Sequence, residues 1–418
     1  MKPGDETKPC IAIACGGTGG HLFPGLAIGS QLLNLGCDVS LLVSPKDVDQ
    51  QAVKSARGMQ VFTLPAVALQ NGNRLAFLRG FWNSFRASRK LFKQRRPDAV
   101  LAMGGFTSAP PVLAARLLGA KAFLHESNMI PGRANRWLSR FVKCGFVGFE
   151  QAGALLGAKR VSVTGTPVRS EFQTRDSAAC CQALGLDPMK PVLLVIGGSQ
   201  GASGINEMIV AALPLLVQRG LNWQWVHLTG PKDVTKVAAV YDKLGVRAIV
   251  QPFMENLAVA MGAATACVSR AGASSLAEIA AMRLPSLLVP FPHAADNHQF
   301  YNAHAFANSG AARLLEQKEA QPEIVATLVL DLVENNGARS SIQSALAQWH
   351  APDAAREIAG TMMRVIVEGD RAIESGEGKS SKLQAPSSRE SSITKHQAVL
   401  RGGLGIWVFG VFGCFTSA

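Results

Sequence analysis

The sequence predicts an α/β protein of two Rossmann-like, doubly wound parallel-sheet units facing one another across a cleft. Three observations predict it. Short apolar, β-branched runs alternate with helical stretches, the pattern of strands joined by crossover helices. The alternation restarts near residue 191. Each series contains a strand running straight into a glycine-rich turn: Ile11-Ala12-Ile13-Ala14 into Gly16-Gly17-Thr18-Gly19-Gly20, and Val192-Leu193-Leu194-Val195-Ile196 into Gly197-Gly198-Ser199-Gln200-Gly201.

In chain order, the first series reads as strands at 10–15, 38–44, 60–65, 98–103, 121–125, 144–149 and 160–164. The second reads as strands at 191–196, 223–229, 247–251, 265–269, 285–290 and 310–315. The stretch 166–190, with Pro167, several charges and the pair Cys180-Cys181, reads as the linker. These marks divide the chain into a first unit at 1–168, with a helix at about 352–370 expected to pack back on it, and a second unit at 169–351. Residues 371–418 open with SGEGKSSKLQAPSSRESS, a composition that cannot bury a core and predicts disorder. The closing LGIWVFGVFGCF is shorter than the roughly 20 residues a spanning helix needs.

Composition narrows the function. With 418 residues, 48% of them hydrophobic, the chain can bury at least one large core. The polar start MKPGDETKPC leads directly into a strand and lacks signal-peptide regions. Eight cysteines show no metal-ligand spacing and read as reduced, buried thiols. A net charge of +13 raises nucleic acid or an anionic surface as partner, and the placement of the charge decides between them. From Arg74 to Arg96 there are eight basic residues and no acidic one, while Leu75, Leu78, Phe81, Trp82 and Phe85 recur at three- and four-residue steps. That is an amphipathic basic helix suited to an anionic membrane surface, or else a core-facing helix with a solvated back. No nucleic-acid-binding signature accompanies it, so nucleic acid is not expected.

The glycine turns carry the chemistry. Glycines at 16, 17, 19 and 20 let backbone N–H groups approach an anion at a helix start. The spacing fits neither GxGxxG nor a P-loop, which argues against a nicotinamide cofactor. His21 on the same turn could accept a proton from an alcohol, or could simply pack. Glu126, in LHESN, could orient His21, act as the base itself, or be a solvated loop carboxylate. Ser199 in the second turn offers a hydroxyl to a second phosphate pair. Glu278 fits either a capping box with Ser275 or recognition of two vicinal ribose hydroxyls. His298, Gln299 and Asn302, at helical spacing, would offer donors to a sugar. Asp47-Val48-Asp49 is a formal DxD, but it lies far from these residues and reads as a helix opening.

Six motifs in order, GGTGGHLFPG, MGGFTSAP, HESNMIPGRANRWL, GTPVR, GGSQGASGIN and RAGASSLAEIAAMRLPSLLVPFPHAADNHQFYNA, resemble the MurG-type bacterial N-acetylglucosaminyltransferases of peptidoglycan synthesis. The resemblance runs from about residue 10 to about 368. It implies a GT-B fold and an inverting transfer of GlcNAc from UDP-GlcNAc to the C4 hydroxyl of MurNAc in undecaprenyl-pyrophosphoryl-MurNAc-pentapeptide. The implied partners are UDP-GlcNAc, the lipid-linked MurNAc-pentapeptide and an anionic membrane, at the cytoplasmic face of the plasma membrane, with no obligatory metal or cofactor. By motif, Thr18, Gly19 and Gly20 would lie near sugar and diphosphates, and Asn128 and Arg169 would approach the donor. Ser199 would bind diphosphate, Met254 would meet uracil through its backbone, the run Ala273, Ser274, Ser275, Leu276, Ala277 and Glu278 would hold phosphate and ribose, and Gln299 would hold GlcNAc hydroxyls. His21 is the preferred base and Glu126 the competitor. Thr166 stands where many members carry Asn. A UDP-GlcNAc 2-epimerase, a plant-type diacylglycerol galactosyltransferase and a non-catalytic nucleotide-sugar-binding membrane scaffold are the rival readings.

Overall fold

The computed structural model of the chain describes residues 8–16, 19–45, 56–65, 74–198, 201–219 and 222–369. Thr18, Ser199, the Asp47–Asp49 segment and the stretch 371–418 therefore lie outside the described residues.

Strands form where the aliphatic runs lie. In the first half β1 (Cys10–Ala14), β2 (Asp38–Val43), β3 (Gln60–Thr63), β4 (Ala99–Ala102), β5 (Lys121–Glu126), β6 (Cys144–Val147) and β7 (Val161–Val163) make a sheet of order 3-2-1-4-5-6-7. In the second half β8 (Val192–Ile196), β9 (Gln224–Leu228), β10 (Ala248–Gln251), β11 (Ala266–Ser269), β12 (Ser286–Leu288) and β13 (Arg313–Leu314) make one of order 10-9-8-11-12-13. Every pairing among the described residues is parallel. The order reverses between β1 and β4 and again between β8 and β11, so each sheet opens a crevice at the carboxyl ends of those strands. This is the expected pair of doubly wound sheets in the GT-B arrangement.

The two-residue period of a strand sorts the first core into two layers. Ile11 and Ile13 of β1, with Leu101, Phe123 and Phe146, pack against Leu22, Ile28 and Leu32 of the helix Gly19–Asn34. Ile358, Met362 and Val365 of the last described helix, Ala354–Glu368, complete that layer. Ala12 and Ala14 point the other way, toward Val112 and Ala115 of the helix Ala109–Leu117. Each such Leu or Ile, fully buried, stabilises the fold by about 1.5–3 kcal/mol.

Two local expectations are corrected. The stretch read as a linker contains the helix Ser177–Ala183, capped by the Asp176 carboxylate, which accepts from the N–H groups of Ala178 and Ala179. Cys180 and Cys181 anchor it in the core beside the helix Leu257–Ala263. The pair that looked like linker punctuation is the apolar face of a helix too short to show a period.

The second correction concerns the basic helix, Arg74–Gln94. Its five apolar residues do not share one environment. Gly80, Ser84, Ser88 and Phe92, at four-residue steps, form the buried stripe, with Phe81 and Phe85 half-buried beside it. Small side chains let this helix lie close to the helix Ala109–Leu117, and that contact fixes its rotation. Leu75, Leu78 and Trp82 are left outward, at 81%, 43% and 55% exposure. Phe106 joins them at 48% exposure, its ring edge-on to Phe77 at 5.6 Å between centroids. Among the described residues, no helix is long and apolar enough to cross a membrane.

Candidate active site

The first crevice is built from three turns. Gly16 follows β1 so close to the end of β2 that a Cβ there would sit 2.5 Å from the Ser44 nitrogen. Its carbonyl accepts the Thr107 hydroxyl at 2.6 Å, tying the turn after β1 to the turn after β4. The helix Gly19–Asn34 then begins, with Gly19 buried, Gly20 exposed and His21 half-buried in its first turn.

His21 lies against Gly104 and Gly105, whose φ values are 121° and 75°. A Cβ on Gly104 would stand 2.9 Å from His21 Nε2, and one on Gly105 would stand 3.3 Å from Cε1. The imidazole thus occupies the switch-point crevice because the facing peptide carries no side chains. These two glycines were missed as site residues, although a strand ending in Met103-Gly104-Gly105 is a third glycine turn in plain view.

Glu126 is placed differently from His21. It is 3% exposed, and burial pushes its pKa up, opposed by the hydrogen bonds it accepts. Oε1 accepts from the Asn128 backbone N–H at 2.8 Å and the Asn128 amide at 3.1 Å. Oε2 accepts from Gly132 N–H at 2.9 Å and the Asn135 amide at 2.8 Å. Four donors hold this carboxylate as the anchor of the loop after β5. The solvated-carboxylate reading of Glu126 is therefore corrected. His125 beside it is wholly buried, its Nε2–H donating to the Gly165 carbonyl at 3.1 Å and its Nδ1 meeting the Ser127 hydroxyl at 3.2 Å, and desolvation lowers its pKa to about 4.

The second crevice faces the first. Ser274, in the first turn of the helix Ala273–Met282, donates its hydroxyl to the Gly20 carbonyl at 2.9 Å. That helix is capped by Gly272, so Ser275 stands inside it and the capping-box reading of Glu278 is overturned. Ser274, Ser275 and Ala277 are half-buried, whereas the Ala273, Leu276 and Glu278 side chains are buried. Glu278 meets Arg169 across 3.6 Å, and Arg169 also pairs with Glu171 at 2.9 Å. The guanidinium lies between the Phe23 and Phe172 rings, 4.1 and 4.8 Å from their centroids. Burial pushes Glu278 up to about pH 7, outweighing the attraction of Arg169. A 3.6 Å contact is long for a hydrogen bond, which fits a pair that only partly offsets desolvation.

The remaining expected residues divide. Gln299 stands on the helix His298–Asn308, its amide oxygen accepting from Ala271 N–H at 3.3 Å and Phe291 N–H at 3.0 Å. Fixing the oxygen also fixes the direction of the amide N–H donors. Met254 is half-buried against the core. Asn302, read as a sugar donor, is instead fully buried and links the two halves. Its oxygen accepts from Met129 N–H at 2.9 Å, and its amide donates to Asn128 Oδ1 at 3.1 Å and to the Ala271 carbonyl at 3.2 Å. The partner lies 173 residues away in sequence, beyond the reach of any local pattern. Among the described residues there is no cluster of His, Cys, Asp or Glu suited to a metal ion.

Comparison with known proteins agrees with this geometry. Residues 11–147 match the glycosyltransferase family 28 N-terminal domain and residues 192–358 match the family 28 C-terminal domain. A curated relative from Pelobacter propionicus, a UDP-N-acetylglucosamine--N-acetylmuramyl-(pentapeptide) pyrophosphoryl-undecaprenol N-acetylglucosamine transferase, is 37% identical over 343 residues, covering 77% of this chain and 90% of its own. The crystal structure of Acinetobacter baumannii MurG superposes with a TM-score of 0.66 at 29% identity, over 85% of this chain and 99% of that one. A UDP-N-acetylglucosamine 2-epimerase structure superposes with a TM-score of 0.62 at 16% identity, over 92% and 100%, a likeness of fold alone. With sequence, fold and the facing crevices in agreement, the chain belongs to the MurG-type N-acetylglucosamine transferases of glycosyltransferase family 28.

Proposed function

We propose that this chain transfers GlcNAc from UDP-GlcNAc to the C4 hydroxyl of MurNAc in undecaprenyl-pyrophosphoryl-MurNAc-pentapeptide, with inversion at the anomeric carbon. The observation that carries the reading is the meeting of the two turns. The Ser274 hydroxyl touches Gly20, so His21 and the helix start that precedes Glu278 border one cleft. The donor half occupies 169–351 in this reading, and the acceptor half 1–168 with the returning C-terminal helix.

Glu278 accepts the two ribose hydroxyls, the Met254 backbone meets uracil, and the Gln299 amide donates to the GlcNAc hydroxyls. The N-terminal N–H groups of the helix Ala273–Met282 and the Ser199 hydroxyl stabilise the diphosphate as it leaves. Arg169, with its charge directed at two carboxylates, orients Glu278 and lends positive potential to the departing UDP. Thr18, Gly19 and Gly20 border the sugar and the diphosphates. His21 removes the acceptor proton as its oxygen attacks, and Asn128, bonded to Asn302, approaches the donor from the first half. Glu126, closed in by four donors, is assigned the loop and not the proton.

The test is UDP release from UDP-GlcNAc with and without a lipid-linked muramyl acceptor. Release that needs the acceptor is the expected result. Conversion of UDP-GlcNAc with no acceptor would favour an epimerase, and binding without release would favour a scaffold.

The acceptor is lipid-linked, and the exposed Leu75, Leu78 and Trp82 amid a basic helix would seat the acceptor half on an anionic membrane, at the cytoplasmic face. Replacing these three by Ser should weaken sedimentation with anionic vesicles by about tenfold or more, since each apolar side chain removed forfeits on the order of 1 kcal/mol of interfacial burial. Replacing Phe81 and Phe85 should cost stability instead. Unchanged vesicle binding by the triple variant would remove the membrane assignment.

A further inference from the structure

The turn Ala295–Asn297 leads into the helix that carries Gln299, and it contains two consecutive left-handed residues, Asp296 with φ 49° and Asn297 with φ 53°. Asp and Asn tolerate this region better than other side chains, so the conformation is available but needs holding. The holding groups come from the other half of the protein. Arg133 reaches Asp296 Oδ1 at 3.0 Å and Arg136 reaches Oδ2 at 3.6 Å. The two arginines stand three residues apart on the short helix Arg133–Leu138, which puts both on one face. Beneath this pair, the buried Asn302 receives Met129 N–H from the same loop. The loop after β5 therefore grips the beginning and the second turn of one helix, with Gln299 between the two grips.

We propose that Asp296 is a positioning residue, and that its clamp by Arg133 and Arg136 makes the sugar-reading part of the donor site conditional on contact with the acceptor half. The inference rests on the donor-site reading given above. The chain of cause is short. The carboxylate fixes the left-handed turn, the turn fixes where the helix starts, and the helix start fixes the direction of the Gln299 amide, whose oxygen is already held by Ala271 and Phe291. Glu278 and Met254 lie on other elements, so recognition of the UDP portion is independent of the clamp.

Calorimetry of UDP and of UDP-GlcNAc on the full chain separates these parts. Asp296→Asn should weaken UDP-GlcNAc about fivefold, the worth of a well-placed exposed ion pair, while leaving UDP affinity unchanged. The donor kcat/KM should fall by the same factor with the acceptor KM unmoved. Asp296→Gly, which permits the left-handed turn but removes the charge, should match Asp296→Asn. Combining Asp296→Asn with Arg133→Gln and Arg136→Gln should add no further loss, because all three substitutions break one interaction. The proposal is overturned if Asp296→Asn keeps the preference for UDP-GlcNAc, if UDP weakens in parallel, if Asp296→Gly behaves as wild type, or if the losses add. A wild-type protein that binds UDP-GlcNAc but transfers nothing would sink the proposed transfer and leave this inference to the calorimetry.

Discussion

His21→Ala is expected to lower turnover by about 10²–10⁴-fold, the usual contribution of a positioned general base, with UDP-GlcNAc affinity nearly unchanged. The imidazole is the titratable ring at the acceptor-side turn, packed on the Gly104–Gly105 peptide and one residue from the Gly20–Ser274 contact. Removing it takes away proton transfer and leaves the donor half intact. Gly104→Ala gives an independent version of the same result. A Cβ 2.9 Å from Nε2, on a residue at φ 121°, must push the ring aside, and misplacement of that order costs about tenfold to a hundredfold. Steady-state rates of UDP release with the lipid-linked acceptor check both variants. Full turnover in His21→Ala would remove the base assignment, and full turnover in Gly104→Ala would show that the ring's seat is irrelevant to the chemistry.

Glu278→Gln should raise the donor KM by about tenfold to a hundredfold, because hydrogen bonds to a charged acceptor contribute about 1.5–3 kcal/mol and two ribose hydroxyls are at stake. The pH dependence provides the finer check. Burial raises the folded-state pKa of Glu278 to about 7 from the ordinary 4.5. A raised acid binds its proton more tightly when folded, so this group favours the folded state below its ordinary pKa. That contribution is lost as pH rises through about 7, when the buried carboxyl ionises with only Arg169 to offset it. Donor binding runs the other way, since the ribose hydroxyls need the carboxylate as acceptor. The thermal stabilisation produced by UDP should therefore be larger at pH 8 than at pH 6, and Glu278→Gln should flatten the difference. An equal shift at both pH values would show that Glu278 does not carry the ribose.

The sequence by itself determined, to within a few residues, the thirteen strands found among the described residues, and it determined the family. It could do so because strand and helix periods, glycine-rich turns and ordered motifs are local properties of the chain. Only tertiary structure decided that Glu126 anchors a loop, that Asn302 joins the halves, and that the Arg74–Gln94 helix buries its glycine and serines while turning Leu75, Leu78 and Trp82 outward. The physical reason is the same in each case. A polar side chain's role depends on which donors and acceptors reach it, and a helix's rotation depends on what packs against it. The partners of Asn302 come from the far half of the chain and that of the Arg74–Gln94 helix is a neighbouring helix, while the donors to Glu126 lie within nine residues but are brought to it by an irregular loop that has no period to read.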